Sequence, residues 1–236
     1  MSKHLRQRTP PFPYVLLAAT FLAACFLANA QDSRMQLILE HRVGKSIQQT
    51  SPQHVFSAGD FVRFRFQPSF DGYLYVMDQS TSGKYQLLFP AAETGSANQV
   101  IHGKEYLIPA SSGSWFRVDN PAGYERIFFL VSPTKLEKQP QPSPVPEATP
   151  PMPESPAAEL LPRCDDSVFR ARGECVDVSA GPRAVPKDDK VPDSLPGSGG
   201  KTSRDISVIN KSTSSVVAPG GANDIPLIYE FRLAHR

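Results

Sequence analysis

Net charge is almost absent from this chain. Its 25 lysines and arginines stand against 23 aspartates and glutamates, a formal +2. Lys3, Arg6 and Arg8 fall in a stretch that reads as removable, and without residues 1–30 the balance is 22 basic against 23 acidic, or −1. A chain so near neutrality lacks the general pull toward phosphate backbones that nucleic-acid binders use, so nucleic acid is excluded as a partner. Motifs for chemistry are missing too. There is no G-x-S-x-G elbow and no phosphate-binding loop. His41, His54, His102 and His235 have no second histidine or cysteine at ligand spacing. The sequence therefore predicts no metal, no cofactor and no catalytic residue. His41 reads as a surface or edge residue. Asp71-Gly72 reads as a turn, with glycine supplying a positive φ. Asp165-Asp166 and Asp188-Asp189 read as solvated charge, because calcium needs more oxygen ligands at loop spacing.

Aromatics are scarce in the second half. Residues 133–224 hold 15 prolines and one aromatic, Phe169. Such a stretch buries too little apolar surface to offset its chain entropy. Gln139 to Pro162 should favour extended polyproline II, and Ser194 to Ser203 a flexible glycine-serine coil.

What is present concentrates between Phe56 and Ser132, where 15 of the 22 aromatics lie. Met35 to Val43 alternates, with Gln36, Glu40 and Arg42 on its wet face. Gly44 to Gln53 is polar and reads as a loop. Val62, Phe64 and Phe66 alternate with Arg63, Arg65 and Gln67. Tyr73 to Asp78 follows across Asp71-Gly72, and the two strands read as a hairpin. Tyr85 to Phe89, Tyr106 to Ile108 and Ser114 to Val118 are further short strands, with residues 91–104 as a loop. Glu125 to Val131 hardly alternates, which marks a central strand. Leu227, Tyr229, Phe231 and Leu233 share one face of a last strand. A lone strand is unstable, so this one should return to the main sheet. The fold class predicted is all-β: an antiparallel β-sandwich (barrel-like) domain with a long Pro-rich disordered insertion before the last strand.

The domain boundaries expected are a signal peptide at 1–30, a sandwich at 31–134, a Pro/Gly/Ser-rich disordered segment at 135–224 and a returning strand at 225–236. Tyr14 to Leu27 is an apolar run followed by Ala28-Asn29-Ala30, a small-x-small cleavage site. Leu22-Ala23-Ala24-Cys25 competes as a lipobox. Acylated Cys25 would hold the protein on a membrane, whereas cleavage before Gln31 would release it to the periplasm or the medium. Cys164 and Cys175 are then the remaining cysteines, and in an exported chain they read as one disulfide.

Phe56-x-x-Gly59-Asp60, Asp71-Gly72-Tyr73-Leu74-Tyr75-Val76, Leu88-Phe89-Pro90, Ile108-Pro109, Gly123-Tyr124-Glu125-Arg126 and Ser132-Pro133 come in an order that resembles the bacterial domain of unknown function DUF4384. The resemblance spans residues 36–134. It implies a β-rich module of envelope or signalling proteins and brings no catalytic residues with it. Tyr73 and Tyr75 share a strand face, and with Trp115 they are candidates for an aromatic platform that stacks a sugar ring or a partner's apolar side chain. Two functional classes stay open. One is a non-catalytic module binding an envelope protein or a glycan, free or anchored through Cys25. The other is an exported enzyme with an unrecognised site.

Overall fold

The computed structural model describes residues 33–80, 85–90, 97–110, 113–136, 161–165, 174–189, 191, 202–221 and 225–236. The expected signal peptide, Cys25, the Gln139–Pro162 stretch but for its last two residues, and all of Ser194–Ser203 but its last two residues lie outside them.

The described chain forms strands and no helix. They are β1 (Met35–Val43), β2 (Ser46–Thr50), β3 (Val55–Phe56), β4 (Phe61–Pro68), β5 (Gly72–Gln79), β6 (Tyr85–Phe89) and β7 (Gln99–Val100). After these come β8 (Tyr106–Ile108), β9 (Phe116–Arg117), β10 (Gly123–Ser132), β11 (Gly181–Ala184), β12 (Ile206–Asn210), β13 (Ser214–Pro219) and β14 (Leu227–His235). Sheet I runs β12-β13-β1-β4-β8, with β2 on β1 and β9 on β4. Sheet II runs β11-β14-β10-β5-β6, with β3 on β14 and β7 on β5. All pairings are antiparallel except β3 with β14.

The sheets face one another across an aromatic core, as alternation dictates. Val62, Phe64 and Phe66 of β4 meet Phe129 of β10 and Tyr229 and Phe231 of β14. The Phe129 and Tyr229 rings stack at 5.1 Å, and Phe231 meets Phe64 edge-on at 4.9 Å. A second apolar layer covers the outer face of sheet II. It contains Tyr75, Met77, Phe128, Leu130 and Ile228, roofed by Val185, Leu136 and Val191. This layer is why β10 hardly alternates: both of its faces are buried.

Four expectations are corrected. Phe61–Pro68 and the strand after it do not form a hairpin. Both edges of β4 are already taken, by β1 on one side and by β8 and β9 on the other, so the chain crosses to sheet II. The crossing is pinned where Ser69 N–H donates to the Arg34 carbonyl at 2.8 Å and Arg34 N–H to Ser69 Oγ at 2.8 Å. Gly72 has no positive φ. It is required because a Cβ there would lie 2.8 Å from the Ser132 carbonyl oxygen.

The Gly44–Gln53 segment is not a loop throughout. Gly44, at φ 61, opens a two-residue turn, and β2 folds back on β1 with Val43 opposite Ser46. No face of β2 is buried, so pairing of its backbone alone holds it and no apolar pattern announces it. Residues 91–104 likewise contain β7.

The Pro-rich segment at 135–224 stands before the last strand, and its described residues include strands. It supplies β11 to sheet II and the β12–β13 hairpin to sheet I. These strands are short, and β12 is half exposed along its length, so no long apolar pattern announces them. The last strand, β14, pairs with β10 along nine residues from Gly123 opposite His235 to Val131 opposite Leu227.

Candidate functional site

Trp115 is placed by the pairing of β9 with β4. Phe116, opposite Val62, packs against the core, so its neighbour Trp115 is turned onto the outer face of sheet I. There it meets two arginines. The Arg63 guanidinium lies 4.3 Å from the indole and that of Arg42 5.4 Å away. Arg42 also sits 3.9 Å over the Phe61 ring, its register partner on β4. Each such stack adds about 0.5–1 kcal/mol at a partly exposed site. Trp115, Arg42 and Phe61 stay half-buried, and together they form an aromatic and cationic surface.

Glu40 anchors this surface from beneath. It was expected on a wet face, yet it is 1% exposed. Arg63 Nε donates to its Oε2 at 2.6 Å and Arg65 Nη2 to its Oε1 at 2.5 Å. The hydrogen bond to Glu40 raises the pKa of Arg65 above its ordinary value. Glu40 thus holds Arg63 over the indole.

Tyr73 and Tyr75 do not join Trp115. They belong to the layer on the outer face of sheet II. Tyr75 is 1% exposed, and its hydroxyl exchanges long contacts with the Leu136 backbone at 3.4 and 3.5 Å. A single platform of all three aromatics does not form.

Sheet II carries its own clamped carboxylate. Glu230 is fully buried and accepts from Arg126 Nε at 2.9 Å and Arg232 Nε at 2.9 Å, with Arg183 Nε at 3.3 Å. Arg126 Nη2 also donates to Asp189 at 2.6 Å. Arg204 donates to the carbonyls of Pro186, Lys187 and Asp189, tying the start of β12 to this corner.

Titratable side chains meet inside one end of the sandwich. His41, expected at the surface, points inward beside His54, with ring centres 5.9 Å apart and Asp60 at 3.4 Å. Phe56 stands edge-on to both histidines. Next to Phe56 on β14, His235 is fully buried, 3.4 Å from Glu125. Burial, and then His41, lower the pKa of His54. Burial, and then the Glu125 charge, hold the Asp78 carboxyl well above its ordinary value. These residues come from β1, β5, β10, β14 and the chain on either side of β3, so no sequence spacing could reveal the group. Among the described residues no set of three or more His, Cys, Asp or Glu is arranged to hold a metal ion.

Cys164 and Cys175 are bonded, with their Cα atoms 4.8 Å apart. The pair is docked on the sandwich rather than isolated in an arm. Val55 N–H donates to the Cys175 carbonyl at 2.9 Å, and Cys175 packs with Val55 and Ala234. Asp177 braces the junction. Burial alone would raise its carboxyl, but donors from Arg163 N–H, the Tyr124 hydroxyl and Ser179 N–H hold it below its ordinary value. Tyr124 is pushed up to about 12 by burial and by this hydrogen bond.

An all-β sandwich with two arginine-clamped outer faces is the class these strands define. Residues 55–135 match the family described as Domain of unknown function (DUF4384). No curated protein and no solved structure matches the chain. The matched region contains β3 to β10, including Trp115, Arg63 and Phe61. Arg42 and Glu40, on β1, and the whole of β11–β14 lie outside it.

Proposed function

We propose that this chain is a non-catalytic binding module, exported to the cell envelope or the medium, which takes a protein or glycan ligand on the outer face of sheet I at Trp115. The observation that carries this is the Arg42–Trp115–Arg63 stack. A half-buried indole with two guanidinium groups over its ring offers apolar and charged surface side by side, the chemistry that stacks on sugar rings and grips carboxylate-bearing partners. The Cys164–Cys175 bond favours an oxidising compartment. A membrane-anchored form through Cys25 is the alternative, and an exported enzyme is the weaker one.

Trp115 is the only tryptophan in the chain, so intrinsic emission reports on this surface alone. Titration with soluble cell-wall glycan fragments and with a solubilised envelope protein fraction should give a saturable emission shift. Arg42→Ala should abolish it. Emission that stays flat against both preparations would remove the reading. Intact mass before and after reduction separates the forms. A start at Gln31 gives a free protein, and a start at Cys25 plus acyl chains gives an anchored one.

A further inference from the structure

The outer edge of β12 has no strand beside it among the described residues. Natural edge strands are defended by charge, proline or a bulge. Ile206-Ser207-Val208-Ile209-Asn210 contains neither charge nor proline, and Ile209 is 63% exposed. The hairpin bonds show which backbone groups are free to pair. Lys211 N–H donates to the Ser214 carbonyl at 2.7 Å and Gly220 N–H to the Asp205 carbonyl at 2.8 Å. By antiparallel alternation, Asp205, Ser207, Ile209 and Lys211 turn their backbone groups toward β13. Ile206, Val208 and Asn210 therefore aim theirs at the open edge.

We propose that β12 pairs with β12 of a second copy of this chain, antiparallel about a two-fold axis at Val208, joining two copies of sheet I into one. In this register Ile206 faces Asn210 of the second copy, Val208 faces Val208, and the three pairs exchange about six backbone hydrogen bonds. Charge fixes the choice of occupant. Asp205 and Lys211 flank β12 equally far from Val208, and both are exposed. The two-fold places Asp205 opposite Lys211 at each end, as a non-hydrogen-bonded pair whose side chains approach closely. The strand is thus complementary to itself. The uncharged edge strand β2 lacks this property, because pairing about Gln48 would set Lys45 against Ser51.

Sedimentation of the full chain across a dilution series tests this. A reversible dimer is expected. Asp205→Lys and Lys211→Asp, each of which sets like charges together twice, should each weaken it roughly tenfold or more. The double exchange D205K/K211D should restore it. The two residues sit at opposite ends of β12, so rescue within one chain is ruled out by distance. A chain that stays monomeric throughout overturns the proposal, including one that captures another protein's strand at this edge. So does a dimer indifferent to the single exchanges, or one that the double exchange fails to restore.

Discussion

Asp78 faces the interior of the sandwich from β5, and its Oδ1 has no hydrogen-bond partner. Its folded pKa is raised by burial first and by Glu125 second. Below about pH 4 the carboxyl is protonated in both folded and unfolded chains, so it costs nothing. Above that the unfolded chain ionises while the folded one keeps its proton, so stability falls as pH rises toward the folded pKa. Asp78→Asn should therefore match the wild type in urea midpoint at pH 3 and exceed it at pH 7. Equal midpoints at pH 7 would show that the carboxyl is not desolvated. Glu40 and Glu230 teach a related lesson about legibility. Alternation placed them correctly on the faces away from the core. It could not show that arginines of neighbouring strands fold over those faces, since Arg63 and Arg126 become neighbours of Glu40 and Glu230 only through strand pairing.

At the scale of single elements, the corner into β5 is the sharpest constraint. The Gly72 Cα lies so close to the Ser132 carbonyl that a methyl group must displace one strand or the other. Gly72→Ala should lower unfolding stability by about 1–3 kcal/mol, read from the urea midpoint, the usual cost of overpacking. A loss below a few tenths would mean that β5 slides freely past β10. The sequence marks this glycine as special but suggests the wrong reason, because close backbone approach and positive φ both exclude a side chain. The strands themselves were legible wherever at least one face was apolar: β1, β4, β5, β6, β8, β9, β10 and β14. Partners were not legible. Val62, Phe64 and Phe66 say that β4 has a buried face, but nothing in them says which strands take its edges. Of the candidate site residues, Trp115 could be singled out as the sole tryptophan, whereas its arginine neighbours emerge only from the register of β1 with β4.

At the scale of the whole molecule, sheet II joins strands from both sides of the proline-rich segment, β10 before it and β14 after it. Arg126 and Glu230, 104 residues apart, share a hydrogen bond of 2.9 Å. A protease site introduced between residues 140 and 150 should thus yield, after cutting, two fragments that co-elute in native buffer and separate only in denaturant. Prompt separation would mean that the β10–β14 pairing is too weak to outlast the cut. Composition hid this architecture, since prolines dominate the segment before β14 while short strands such as β12 are stitched in by backbone bonds and by Arg204. The position of β14, between β11 and β10, has a temporal side. Translation reaches Tyr229 and Phe231 long after Phe64 and Phe129, the rings they must cover. A growing chain consequently exposes a half-built core until ribosomes pass residue 235, and loop closure over so many residues makes the final docking slow. During that interval the Phe64 and Phe129 rings stand uncovered, so the chain's exposure to aggregation is set by how soon the keystone strand arrives.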